Sequence, residues 1–278
     1  MRYAAIVEAE TVYRPDSALG HPLRFAGQAV DDLRHSTGVA WQLFRRDLHA
    51  RHRRTWLGYA WLLLPSIATT LLWVYVQSRR IVGIAPTAIP YPVYVLTGTV
   101  LWQVFVDALN APLQQLRAGQ QLITRSRVPH EALILSGLLD VLFNAAVRLS
   151  VVAAVLILWR TPVDSSLLLV PLGVAALALA GLTLGTFAAP LGMLYDDVGR
   201  AMQLVTSFWF FLTPVIYPAS GVLRFNPVTP LLDSTRNWLT AGHASPGFAL
   251  VAAATIPALL LAWSFHRLAR PHLIARLG

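Results

Sequence analysis

Six long apolar segments decide which kind of fold this chain can adopt. A helix that crosses the hydrocarbon core of a bilayer, about 30 Å thick, needs roughly 20 apolar residues. The chain is 56% hydrophobic and only 13% charged, whereas soluble domains carry about 25% charged residues. The sequence therefore predicts an all-α membrane protein with six transmembrane helices. The predicted spans are Leu57–Gln77, Tyr91–Ala111, Ala132–Trp159, Leu167–Leu191, Ala201–Tyr217 and Phe248–Phe265.

The fifth span and the loop after it are unusual. The span has only 17 residues, which would rise about 26 Å as a helix, and Pro214 near its outer end is expected to break it. The loop at 218–247 is rich in Leu, Val, Phe and Trp among Pro and Gly. Non-helical backbone at membrane depth is tolerated only where it is buried in protein or faces a water-filled cavity. The sequence therefore predicts a re-entrant outer loop between spans 5 and 6.

The arginine distribution predicts the orientation of the spans. If the N-terminus is inside, the cytoplasmic parts hold 16 arginines, the outer loops hold five, and one, Arg148, lies within a span. This bias fits the positive-inside rule. We therefore predict a multi-pass protein of the cytoplasmic (inner) membrane with both ends in the cytoplasm. The basic residues are then explained by the orientation of the spans in the membrane, and we expect no nucleic-acid partner.

The segment before the first span resembles no signal peptide, because it contains acidic residues and lacks an apolar core. Residues 1–38 are predicted to form a cytoplasmic N-terminal segment, and residues 39–278 a single transmembrane domain. From about Val39 to Arg54, apolar residues share one helical face and basic residues cover much of the rest. This pattern favours an amphipathic helix in the headgroup plane. The alternative is a basic flank that only precedes the first span.

The chain lacks the groups that enzymes of the expected classes need. All 22 basic residues are arginine and no lysine is present, so the phosphate-binding loop GxxxxGK[ST] of ATPases is excluded. There is no cysteine, which excludes thiolate chemistry and Cys-based metal sites. Asp196 and Asp197 could hold a metal–nucleotide in a membrane glycosyltransferase, or could complement the positive end of the fifth helix. We favour the second interpretation and expect no catalytic residue, metal or cofactor in this chain.

Polar residues within the third span form a stripe. Asp140, Asn144 and Arg148, preceded by Ser136, follow one another at i+4 spacing and so lie on one face. Charged groups at this depth are costly and rarely face lipid. The stripe is therefore expected either to hold helices together by hydrogen bonds or to line a pathway. Asp107 on the second span is a candidate partner of Arg148.

Aromatic residues are concentrated around spans 1 and 5. Residues near span ends fit an interfacial belt, but Phe208 and Phe211 lie further inside. Aromatic faces are low-entropy surfaces on which sugar rings can stack, although packing is their more common role. The candidate glycan-contacting residues are Tyr59, Trp61, Phe208, Phe211 and Tyr217.

Several motifs then occur in a characteristic order. They are RRDLHARHRRTWLGYAWLLLP (Arg45–Pro65), YPVYVLTGTVLWQVF (Tyr91–Phe105), LITRSRVPHEALILS (Leu122–Ser136), LYDDVGR (Leu194–Arg200), FFLTPVIYP (Phe210–Pro218), FNP (Phe225–Pro227) and Arg236. Together they resemble the membrane subunits of ABC exporters for cell-surface polysaccharides, in the ABC-2 permease family. The sequence departs from that family at Asp196, where arginine is usual, and at Thr213, where serine is common.

This resemblance implies a homodimer that works with two separate ABC ATPase subunits, which would bind ATP and Mg²⁺. The substrate would be a lipid-linked polysaccharide of the O-antigen, capsule or teichoic-acid type, and spans 1 and 5 would line its channel. The cytoplasmic segment between spans 2 and 3 would couple to the ATPase. An ABC permease for a drug or bare lipid, the glycosyltransferase and a structural scaffold are the alternatives. The residues implied in ATPase coupling are Gln121, Arg125, Arg127 and His130.

Overall fold

The computed structural model describes residues 22–52, 58–122, 128–161, 164–240 and 242–277, and these ranges contain no β-strand. The all-α prediction is therefore confirmed. Two 3₁₀ helices, Ser165–Leu169 and Gly221–Phe225, accompany the α-helices. The α-helices used below are α1 (Pro22–His52), α2 (Ala60–Ser78), α3 (Tyr91–Ala118), α4 (His130–Leu158), α5 (Val170–Leu194), α6 (Asp196–Phe211), α7 (Val228–Leu239) and α8 (Phe248–Leu277).

Five helices of the described ranges are long and apolar enough to cross a membrane, and they correspond to predicted spans 1–4 and 6. The predicted fifth span differs. Helix α6 has 16 residues, a rise of about 24 Å, which is short for the hydrocarbon core. It begins at Asp196, five residues before the predicted start, because its polar first turn is helical too. It ends at Phe211, before Pro214, since proline disfavours helical backbone in the residue ahead of it.

Helix α3 is the centre of the bundle, with most of its apolar stretch buried. It packs most extensively against α5, and α8 lies against the other side of α5. The α3–α5 contact depends on GLTLG (Gly181–Gly185). A Cβ at Gly181 would meet the carbonyl of Phe105, and one at Gly185 would meet the carbonyl of Leu109. Small residues at this spacing let two membrane helices approach closely.

Replacing Gly181 with leucine is expected to disrupt this contact, because backbone atoms of α3 occupy the space that the side chain needs. Overpacking of this kind costs about 1–3 kcal/mol or more. The apparent melting temperature in detergent should therefore fall by several degrees. Gly38→Leu is the matched control, because no atom lies within 4 Å of a Cβ at that position. Equal melting temperatures for the two variants would contradict the assigned packing.

Helix α1 is longer than the predicted amphipathic segment. It starts at Pro22 and passes through residue 38 without a break, and it packs against α4. Leu43 and Phe44 are buried, whereas Trp41 is 52% exposed. The apolar face predicted to lie on the membrane is thus partly covered by the protein itself. Residues 1–21 and 53–57 lie outside the described residues.

Candidate functional site

Helices α2 and α6, which carry the candidate glycan-contacting aromatics, are the least covered by their own subunit. Only Ser66 is buried in α2 and only Thr206 in α6. Helices α3, α4 and α5 bury many more of their residues. Two helices held at their ends and loosely packed along their length can move relative to the bundle with little loss of buried surface.

The aromatic residues of α6 divide into two faces. Phe208 is 66% exposed and Phe211 52% exposed. Trp209 lies with its ring centroid 5.3 Å from that of Phe105, and Phe210 with its centroid 6.2 Å from that of Trp102. Phe208 and Phe211 therefore point away from the subunit, while their neighbours fix the helix to α3.

The remaining candidate aromatics are placed differently from one another. Trp61 is 57% exposed on α2. Tyr59, just before α2, packs on Phe143 of α4 with ring centroids 5.6 Å apart. Tyr217 donates its hydroxyl hydrogen bond to the carbonyl of Phe211. Trp61 is thus free of the packing that occupies Tyr59.

The polar stripe of the third span ends in a buried ion pair. Arg148 Nη1 lies 2.5 Å from Asp107 Oδ2 on α3, with the Arg148 side chain only 6% exposed. Arg148 Nε also donates to the Leu62 carbonyl in the first turn of α2, at 3.3 Å. The candidate pairing of Asp107 with Arg148 is confirmed. One guanidinium therefore joins three helices, and Asp140 and Asn144 continue the stripe on α4 as half-buried residues.

A second buried arginine holds the C-terminal end of α6. Arg236 on α7 donates from Nη2 to the carbonyls of Pro214 and Val215, at 2.9 and 3.0 Å. Its Nη1 lies 3.2 Å from Asp233, and its guanidinium sits 3.9 Å from the centroid of the Tyr94 ring. Burial raises the pKa of the Asp233 carboxyl, and the Arg236 charge opposes that rise. Arg236 thus bridges α7, α3 and the chain that leaves α6.

Asn226 of the FNP motif fixes the same segment from another side. Its Nδ2 donates to the carbonyl of Leu212 and to Thr213 Oγ1, both at 2.9 Å. Its Oδ1 accepts from Trp209 Nε1 at 3.2 Å and from the Val228 amide at 3.0 Å. We call Asn226 and Arg236 with these partners the outer clasp. Thr213, which replaces the family serine, keeps its hydroxyl in the clasp.

The cytoplasmic coupling residues are only partly described. Gln121 is exposed just beyond α3, whereas Arg125 and Arg127 lie outside the described residues. His130 was expected on the ATPase-facing surface, but it is 1% exposed and its ring centroid lies 5.6 Å from that of His266 on α8. Its position at the start of α4 directs the imidazole into the bundle. That expectation is corrected: the side chain of His130 is not on a docking surface.

Beside His130, Glu131 is equally buried and forms ion pairs with two arginines of the last helix, α8. Its carboxylate oxygens lie 3.5 Å from Arg267 and 3.5 Å from Arg270. Arg267 also pairs with Asp32 of α1 at 2.8 Å. The start of α4, the end of α8 and helix α1 are therefore joined by ion pairs beside the predicted coupling segment.

Asp196 and Asp197 occupy the first turn of α6 and pair with arginines. Asp196 lies 3.0 Å from Arg117 of α3, and Asp197 lies 3.5 Å from Arg200. Within the part of the chain that the structure describes, no three His, Asp or Glu side chains are grouped so that they could hold a metal ion. The two aspartates thus lie in the first turn of the helix, as the favoured interpretation of the sequence required, and each also pairs with an arginine.

The clasp and the glycine contact are functional features that the sequence analysis did not assign. The motifs FFLTPVIYP and FNP and residue Arg236 were recognised, but nothing in the sequence indicated that they meet. The spacing of small residues in GLTLG is a signal that could have identified the tight α3–α5 contact.

Curated proteins with similar sequences take part in the export or transport of polysaccharides. The O-antigen export system permease protein RfbA of Myxococcus xanthus is 23% identical over 84% of this chain and 92% of its own length. The polysialic acid transport protein KpsM of Escherichia coli is 23% identical over 81% of this chain and 91% of its own. The capsule polysaccharide export inner-membrane protein CtrC of Neisseria meningitidis is 24% identical over 66% of each chain. No family model matches the chain.

These similarities extend over most of the chain and agree with its ordered motifs. The five apolar helices and the relatives together make this a multi-pass protein of the inner membrane. The resemblance drawn from the motifs is confirmed: the chain is similar to curated proteins of O-antigen export, polysialic acid transport and capsule polysaccharide export.

Proposed function

We propose that this chain is the membrane subunit of an ATP-driven exporter that moves a lipid-linked polysaccharide across the inner membrane. The observation that carries the proposal is the similarity to O-antigen and polysialic acid permeases along four fifths of the chain. Because the sequence contains no lysine, a Walker-type ATP site must come from another protein. We infer a homodimer with two ATPase subunits, with ATP and Mg²⁺ bound by those partners.

Six spans with both ends in the cytoplasm remain part of this proposal. Helix α6 would be the fifth span, extended on its outer side by the irregular segment that the clasp holds. Helix α7 would be the re-entrant element, which is supported by the burial of ten of its twelve residues. Re-entrant backbone requires such cover, because lipid cannot satisfy its polar groups.

Movement would be confined to the loosely packed helices. ATP binding would displace the cytoplasmic segment between α3 and α4, next to the ion pairs of Glu131. Helices α2 and α6 would then shift as rigid bodies against α3 and α5, and the exposed Trp61, Phe208 and Phe211 would face the glycan.

The proposal is tested by purifying the tagged full chain from its native host in mild detergent and identifying the proteins that accompany it. We expect a stoichiometric P-loop ATPase, and glycolipid in the same preparation. A folded chain that carries no ATPase under any salt or nucleotide condition would remove the energy source that the mechanism requires.

The double variant Phe208→Ala, Phe211→Ala is expected to lower polysaccharide export, because stacking on an aromatic ring contributes about 0.5–1.5 kcal/mol per contact. Export should fall roughly tenfold while the ATPase still co-purifies. The matched control is Phe187→Ala, Phe265→Ala, which removes a stacked, partly exposed pair on α5 and α8. Equal export from the two double variants would assign the α6 phenylalanines to packing or lipid contact.

A further inference from the structure

A cavity of about 260 Å³ lies between the inner half of α3 and the first turns of α6. None of the residues assigned above to glycan contact lines it. Six of its eight lining residues have polar side chains, which is unusual for helices of a membrane bundle. The lining residues are Asn110, Leu113, Gln114, Arg117, Asp196, Gly199, Arg200 and Gln203.

The polar wall on α6 continues as an exposed stripe. Arg200, Gln203 and Ser207 follow at helical spacing on one face and are all exposed. Gln203 lies roughly 10 Å along the axis from the start of the helix, a depth at which hydrocarbon is a poor environment for an exposed amide, whereas the Ser207 hydroxyl donates to the Gln203 carbonyl at 2.8 Å. This face is therefore directed at water or at a polar ligand. In the proposed transporter, that means the glycan path.

The carboxamides of the cavity suit hydroxyl-rich ligands. Gln114 on one wall and Gln203 on the other make no side-chain hydrogen bond with the described residues. Asn110 donates a hydrogen bond from its amide nitrogen to the Val106 carbonyl, at 2.8 Å, so its amide oxygen remains as an acceptor for a ligand. Each carboxamide both donates and accepts hydrogen bonds, as does each sugar hydroxyl. Two opposed amides can therefore bind one ring from both edges.

The charges of the cavity argue against an anionic ligand. Arg117 is held by Asp196 at 3.0 Å and donates to the Gly192 carbonyl at 2.6 Å. Arg200 is paired with Asp197. Each arginine thus has its own carboxylate, so the site has no excess positive charge with which to attract a phosphate. Its size, below the roughly 300–1,000 Å³ of pockets for drug-sized ligands, fits one sugar ring.

We propose that this cavity binds a single uncharged sugar ring of the polysaccharide at the inner end of the path, with Gln114 and Gln203 as the principal hydrogen-bonding residues. The proposal rests on the proposed export function and adds a site and a ligand class to it. Because the ring is held by a few neutral hydrogen bonds, binding is expected to be weak, as a chain passing through the site requires.

The test uses the absence of native cysteine. Ser207→Cys places a thiol one turn beyond Gln203, and its rate of maleimide labelling is measured on the full chain in nanodiscs. The additions are mannose, rhamnose, galactose and N-acetylglucosamine in turn, and separately inorganic pyrophosphate. Ser78→Cys, at the far end of α2, is the remote control. The same series is repeated with Gln114→Leu and Gln203→Leu, substitutions at exposed positions that keep the helices intact.

We expect at least one neutral sugar to slow labelling of Ser207→Cys severalfold and to leave Ser78→Cys unchanged. Each Gln→Leu change should raise the protecting sugar concentration about fivefold, the effect of one lost neutral hydrogen bond. Protection by pyrophosphate alone would overturn the proposal in favour of an anion site, and protection by nothing would overturn it outright. In either case a co-purifying ATPase and polysaccharide export by the unaltered chain would leave the proposed export function standing.

Discussion

Replacing Arg236 with methionine is expected to lower the apparent melting temperature of the protein in detergent by roughly 10 °C. The change leaves the carbonyls of Pro214 and Val215 without their donor and buries Asp233 without its partner. Breaking a buried ion pair from one side costs about 3–5 kcal/mol, and a chain of this size loses roughly 2–4 °C per kcal/mol. Intrinsic fluorescence of the nine tryptophans provides the measurement.

Arg224→Met is the matched control, since Arg224 lies in the same loop and is exposed. It should melt within a degree or two of the unaltered chain. The double variant Arg236→Met, Asp233→Asn should recover part of the loss, because it removes the unpaired carboxylate but not the orphaned carbonyls. An Arg236→Met chain as stable as the Arg224→Met chain would show that the clasp contributes nothing to stability.

The Arg236→Met deficit is also expected to depend on pH. Burial already raises the pKa of the Asp233 carboxyl, with Arg236 opposing the rise, so removing Arg236 raises that pKa further. A group with a raised folded-state pKa contributes stability below its unfolded pKa and loses it as the pH rises through the folded pKa. Melting curves should therefore show the deficit growing as the pH rises above the pKa that Asp233 has in the folded, unaltered chain, and Asp233→Asn should remove this dependence.

The all-α class and the inner-membrane location could be predicted from the sequence because apolar stretches of about 20 residues have few other uses. The first residue of α6 could not be predicted in this way. Asp196, Asp197 and Arg200 are polar, so hydropathy begins the span at Ala201, whereas the backbone becomes helical as soon as the chain leaves α5. Hydropathy measures transfer to lipid, and helix boundaries depend on backbone hydrogen bonds as well.

The clasp shows a second limit of prediction from the sequence. Phe225–Pro227 and Arg236 are separate in the sequence, and a single sequence does not reveal that Asn226 and Arg236 converge on residues 212–215. His130 shows a third limit of prediction from the sequence. Its place in a basic cytoplasmic segment suggested exposure, but its position as the first residue of α4 turns it toward His266. In both cases the deciding quantity is a contact between elements distant along the chain.

Replacing Arg148 with methionine is expected to be as damaging as the loss of Arg236, and to affect transport as well. Asp107 would lose the positive charge beside its carboxylate, and the Leu62 carbonyl would lose its guanidinium donor. Removing one partner of a buried pair costs about 3–5 kcal/mol, which again corresponds to roughly 10 °C in melting temperature. Arg79→Met, at an exposed position after α2, is the control and should leave stability nearly unchanged.

The double variant Arg148→Met, Asp107→Asn separates charge pairing from the positioning of α2. It neutralises Asp107 as well, so most of the stability should return, as it often does when both members of a buried pair are neutralised. The hydrogen bond to Leu62 does not return. Because α2 has little other packing, Trp61 should remain misplaced and polysaccharide export should stay several-fold below that of the unaltered chain. If export recovers together with stability, Arg148 serves only to neutralise Asp107; if export stays low in a stable protein, the bond to α2 is part of the transport machinery.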